Sequence, residues 1–279
     1  MSLRMLDALA RELPGLRHEP TPKRIRARLG DRVVVDSTRA VLVWEPSRIV
    51  PSFAVPREHV AAELVPAAET VTWFSGRERM RVGGHAVLDP SFPFAVHTAA
   101  GEALSVRANG HRLEGAAFRP ADPDLDGLVL LDCDAFDSWY EEEQPLLGHP
   151  RDPFHRLEIL PSSRAVRIER DGVLLAESSR VQMLVEGTVL PVRRYLPAED
   201  VRVPLRPSPT RTRCPYKGEA SYWSPEVGGH TVHDLAWSYD EPLREAVPVA
   251  GLICFFDERV DVTVDGEPQE RPVTPWSDG

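Results

Sequence analysis

The feature that most constrains the fold is a pattern the chain contains twice. Ile25, Ala27 and Leu29 alternate with arginines, Gly30-Asp31 supplies a turn, and Val33 to Asp36 returns. The same order recurs at Val166-Arg167-Ile168-Glu169, with the turn Asp171-Gly172 and the return Val173 to Ala176. Period-two alternation closed by a Gly/Asp turn is the signature of a β-hairpin. The likeness continues in register: residues 36–44 face 177–185, then Val50-Pro51 to Val60 faces Leu190-Pro191 to Val201, which makes Phe53 and Tyr195 approximate counterparts. A third block, Asp126-Gly-Leu-Val-Leu-Leu-Asp132, resembles Ala250-Gly-Leu-Ile-Cys-Phe-Phe-Asp257, and both are apolar runs suited to buried strands. Three collinear blocks read as a duplicated chain.

Between the copies, residues 144–153 hold three prolines and a glycine, the composition of a connector. This divides the chain into a short N-terminal helix over 1–16, a first β-domain over 17–150 and a second over 151–279. Leu3, Leu6, Leu9, Ala10 and Leu13 supply the helical spacing, and Pro14-Gly15 ends it. With 27 prolines and strands broken by Gly and Pro turns, the expected class is all-β. Each half is then a small barrel- or sandwich-like domain, with a tent-like sheet arrangement as a variant and helix as a minor component. Pro56-Arg-Glu-His-Val and Pro197-Ala-Glu-Asp-Val predict one short helix each, since proline suits a first helical position and carboxylates suit the first turn.

The formal charge of −10 would repel phosphate backbones and anionic lipid, so nucleic acid and membrane are not expected partners. Three cysteines without framework spacing fit a reducing, cytoplasmic compartment. The first 14 residues carry Arg4, Asp7, Arg11 and Glu12, and so lack a signal peptide's apolar stretch.

Thr212-Arg-Cys-Pro-Tyr-Lys-Gly218, Ala220-Ser-Tyr-Trp223, Ala236-Trp-Ser-Tyr239 and Ile253-Cys-Phe-Phe-Asp257 together resemble the bacterial domain-of-unknown-function 427 family over residues 156–270. The first half keeps the opening hairpin and Pro56-Arg-Glu-His-Val60 but lacks a Cys-Pro-x-Lys-Gly element, so the first copy is degenerate. Where the family has paired aromatics before the proline of its short helix, this chain has one per copy, in Arg194-Tyr195-Leu196 and Ser52-Phe53-Ala54. The resemblance implies a small β-rich domain with a cavity lined by the signature residues, and a fold more than an activity.

Cys214 and Lys217 are the most pointed chemistry: an ammonium three residues from a thiol stabilises its thiolate and makes it nucleophilic. The plainer reading is a buried thiol beside a solvated turn lysine. Trp237 and Tyr239 alternate toward one face of a strand and, with Tyr222 and Tyr195, form either an aromatic pocket wall or a core. Arg213 is a candidate anchor for an anionic ligand beside Lys217, and Tyr239 or Tyr195 a candidate proton donor. His230-x-x-His233-Asp234 is not taken as a metal site, because residues three apart on a strand face opposite ways. Asp122-x-Asp124-x-Asp126-Gly127 begins like a calcium loop but reaches Cys133 where a glutamate is required, so it reads as a surface turn. Phosphate-binding and nucleophile-elbow motifs are absent, and no metal or cofactor is expected. Two functions remain open: an enzyme acting on a small metabolite through Cys214 and Lys217 in the second domain, or a non-catalytic ligand-binding or interaction module, with a homodimer as a candidate assembly.

Overall fold

The alternation of the repeated pattern is built as hairpins. Ile25–Leu29 pairs antiparallel with Arg32–Ser37, burying Ile25, Ala27 and Leu29 while Arg26 and Arg28 stay half-buried. Val166–Arg170 pairs in the same way with Val173–Ser178. The turns use left-handed residues, Gly30 at φ +57° in the first and Asp171 and Gly172 at +52° and +76° in the second. Both hairpins carry a register irregularity at equivalent places, between Ala27 and Arg28 and between Ile168 and Glu169. A bulge written twice is itself a mark of duplication.

This is a computed structural model that describes residues 2–68, 80–187 and 190–277. The chain divides into two compact units, Met1–Pro153 and Phe154–Gly279. Strand makes up 48% and helix 8%, so the chain is β-rich. In the N-terminal unit Ser138–Glu141 and Gln144–Pro145 extend the hairpin to four strands; in the C-terminal unit Asp261–Val264 and Glu267–Pro268 do the same.

Each unit also has a larger antiparallel sheet. In the N-terminal unit its order is Arg17–Pro20, Val41–Trp44, Ser52–Pro56, Leu128–Leu131, His111–Pro120, Gly101–Ala108 and Glu63–Pro66. In the C-terminal unit it is Leu157–Ser162, Val181–Glu186, Arg193–Leu196, Ile253–Phe255, Ala236–Ser238, Gly218–Val227 and Leu205–Cys214, with His230–Thr231 paired on Gly218–Val227. Among the described residues these sheets are open and none closes into a barrel, which narrows the expectation to layered sheets. The main core of each unit lies between its two sheets: Ile25, Ala27 and Val35 meet Trp44, Phe53 and Val55 in one, and Val166, Ile168 and Leu175 meet Leu196, Ala236 and Phe255 in the other.

The N-terminal helix covers Met5–Ala10, shorter than the leucine spacing suggests, and buries only Ala10. Behind Pro56 and Pro197 the chain makes single 3-10 turns, Arg57–His59 and Ala198–Asp200. No helix among the described residues is long and apolar enough to cross a membrane.

Strand pairing corrects one sequence correspondence. Tyr195 sits opposite Cys254, whereas opposite Leu130, the residue matching Cys254 in the third repeated block, sits Ala54. A one-residue slip exchanges the faces of a sheet. Phe53 therefore points into the core between the sheets, while Tyr195 lies on the opposite face of its own large sheet with Leu184, Trp237, Tyr239 and Cys254.

Candidate functional site

The C-terminal unit's large sheet ends one strand, Val181–Glu186, on a carboxylate. Glu186 is buried, with its side chain 7% exposed. Its partners arrive from two distant places. Lys217 lies in the turn joining Leu205–Cys214 to Gly218–Val227 and donates from Nζ to Glu186 Oε2. His155 contributes Nε2 at 3.2 Å from Glu186 Oε1, and its ring packs on Tyr216 with centroids 4.3 Å apart.

The Lys217 turn is held tightly. Gly218 has φ +105°, and a Cβ there would stand 3.3 Å from Leu243 N and 3.4 Å from Glu241 O. Leu243 N–H in turn donates to the Lys217 carbonyl at 3.0 Å. A side chain at residue 218 would strain the backbone and crowd the segment that fixes the lysine.

Lys217 and Cys214 flank one tight turn, and Cys214 is among the groups that act on the lysine's charge. Burial works against the lysine's charge, but Cys214 and Glu186 outweigh it and the Lys217 pKa is raised. Burial likewise works against the Glu186 carboxylate, yet Lys217 and His155 hold its pKa down at about 2. The pair is thus an ammonium and a carboxylate at neutral pH. Cys214 is half-buried. Burial pushes the other two thiols well up: Cys133 is reinforced by Asp132 and Asp134, and Cys254 is only partly relieved by Arg193.

Tyr239 is buried, and burial together with the nearby charges of Cys214 and Glu186 pushes its phenol well up, so it keeps its proton. Tyr195 accepts a hydrogen bond from Trp237 Nε1 at 3.0 Å and meets its ring edge-to-face at 6.1 Å. Tyr195, Trp237 and Tyr239 are brought together, but as members of one buried cluster. Tyr222 borders that cluster and shares a 3.0 Å hydrogen bond with Thr212 Oγ1. Arg213 is not brought in: adjacent to Cys214 on its strand, it faces the other way, 64% exposed, and pairs with Glu219 at 3.1 Å.

His230 and His233 are both exposed. Asp122 caps a surface turn by accepting from Asp124 N at 2.9 Å. The sequence reading missed Glu186 and His155. A signal for Glu186 existed, since the repeat places Glu45 at the equivalent position; His155 lies just after the connector, outside the repeated blocks, and had none.

No curated protein matches the chain. The family model described as a domain of unknown function (DUF427) matches residues 17–82 and 158–266, more than half of the chain and one segment in each unit, as tandem copies would give. The chain belongs to the DUF427 family.

Proposed function

We propose that the C-terminal unit uses Cys214 as the nucleophile toward a small electrophilic metabolite, with Lys217 as the fixed cation beside the sulfur. The observation that carries this is the buried ammonium fixed on Glu186 in the turn that Cys214 enters. A lysine kept protonated is no nucleophile, so bond formation falls to the sulfur. Glu186 anchors the ammonium, and His155, packed on Tyr216, anchors Glu186. When Cys214 Sγ bonds to an electrophilic carbonyl carbon, the displaced electron pair moves to the oxygen. Tyr239, which retains its proton, is the group suited to donate to that oxygen. Tyr195 and Trp237 support the site from within the core, and Tyr222 is the aromatic nearest the surface. Three free cysteines and a working thiol both suit a reducing, cytoplasmic setting.

The test is the rate of alkylation by iodoacetamide at neutral pH, followed by peptide mass spectrometry. Cys214 is expected to react at least about tenfold faster than Cys133 and Cys254, and Lys217→Met to slow it by about tenfold. Equal, slow labelling of all three would remove the nucleophile. The burial of Tyr195 and Trp237 in one packed cluster favours a second reading, a non-catalytic structural or interaction module, under which native mass spectra would show no retained small molecule.

A further inference from the structure

A second feature of the C-terminal unit stands apart from the thiol. A cavity of about 170 Å³ is lined by Arg170, Asp171, Glu258, Arg259, Arg271 and Ser277. These come from three segments: the hairpin turn at 170–171, the loop following strand Ile253–Phe255, and the tail after strand Glu267–Pro268.

The charges around it do not balance. Glu258 is engaged by Arg193, through Nη1 at 2.7 Å and Nη2 at 2.6 Å, and by Thr274 Oγ1 at 2.7 Å. Arg271 pairs with Asp261 at 2.7 Å, and Arg170 lies 3.5 Å from Asp171. Arg259 has no carboxylate partner among the described residues: its two terminal nitrogens donate to the carbonyls of Asp234 and His233, each at 3.0 Å. The Arg170 atom that lies 3.5 Å from Asp171 Oδ2 is its Nε, while Arg259 Nε is shielded from solvent without a hydrogen-bond acceptor. Arg170 also donates to the Arg259 carbonyl at 2.9 Å, which brings the two segments together. Ser277 Oγ accepts from Thr274 N at 3.0 Å, leaving its own O–H to donate outward.

Three guanidinium groups on one cavity, one of them without a carboxylate partner within ion-pair distance among the described residues, are an arrangement that an anion completes. Donors from three segments suit a group whose oxygens point in several directions better than a planar carboxylate. We infer that this cavity binds a small tetrahedral oxyanion, phosphate as the free ion or as the terminal group of a phosphate monoester. The site does not depend on Cys214 and would hold if the thiol proved inert.

Isothermal titration of the full chain with inorganic phosphate, with glycerol phosphate and with acetate, all at matched ionic strength, tests the assignment. Saturable phosphate binding is expected, at least tenfold weaker in Arg259→Met and in Arg271→Met, undiminished in Cys214→Ser, and at least tenfold tighter than acetate. Glycerol phosphate binding as well as phosphate would assign the site to an ester, and binding much more weakly would assign it to the free ion. Arg259 props two carbonyls, so if Arg259→Met does not fold, Arg271→Met decides, since the aspartate it leaves is exposed. Absence of saturable phosphate binding, acetate binding as tightly as phosphate, or unchanged affinity in every folded arginine variant, would overturn it.

Discussion

Glu45 and Glu186 occupy the same place in the two copies, at the end of the second strand of the large sheet, and both are buried. Each is met by a histidine: His97 Nδ1 at 3.0 Å from Glu45 and His155 Nε2 at 3.2 Å from Glu186. What completes the environment differs. Glu45 Oε2 accepts from the backbone of Thr98 at 2.8 Å and of Ala99 at 3.1 Å. Arg48, whose Nε lies 3.9 Å from Glu45 Oε1, directs its terminal nitrogens away to the carbonyls of Pro93 at 2.7 Å and Val96 at 2.6 Å. His97 is stacked on Phe118 at 3.9 Å. Everything around Glu45 fastens the 92–99 segment. Around Glu186 the answering charge is the Lys217 side chain, three residues from Cys214. A buried carboxylate must be compensated wherever it sits, and the two copies differ in the group that does it, backbone amides in one and a side-chain ammonium in the other.

The comparison breaks most visibly if the cation is stranded. Glu186→Ala is expected to cost about 3–5 kcal/mol in urea unfolding, because it leaves the Lys217 ammonium buried and unpaired. The double change Glu186→Leu with Lys217→Met should recover most of that loss; a double variant as unstable as the single would mean the pair is not the source. Acid should reproduce part of the effect. The folded Glu186 pKa is about 2 against an ordinary 4.5, so its contribution is complete above the ordinary value and is lost as pH falls toward 2. Stability of the native chain should therefore decline over that interval more steeply than that of Glu186→Gln. Glu45→Ala leaves backbone donors without an acceptor, while Arg48 keeps its carbonyl partners, and should cost less, about 1–3 kcal/mol, with faster amide exchange at Thr98 and Ala99. A larger loss there than at Glu186 would reverse the assignment of roles. Smallest is Tyr195→Phe, about 1 kcal/mol by thermal unfolding for the lost acceptor of Trp237 Nε1.

The hairpins were legible because period two and Gly/Asp turns are local chemistry, and the nearness of Cys214 to Lys217 was legible because both flank one tight turn. Glu186 was not, since an acid at a strand end looks like a solvated end until two residues, each 31 positions away, are seen to answer it. Alternation correctly placed Trp237 and Tyr239 on one face, but alternation alone does not separate a pocket wall from a packed layer, and here the layer is packed. Phe53 was matched to Tyr195 because aromatic character survives inspection and register does not.

That single-residue offset governs any attempt to transplant the C-terminal centre into the N-terminal unit. A tyrosine placed at residue 53, as residue type suggests, would push a hydroxyl in among Trp44, Val55 and Trp139. The position that faces the right way is Ala54, which is fully buried beside Val43, Phe118 and Leu130 and would have to exchange a methyl group for a phenol. Engineering a second centre would thus require recarving that entire layer, with Phe118 and Leu130 reduced to make room, before any thiol or lysine was introduced.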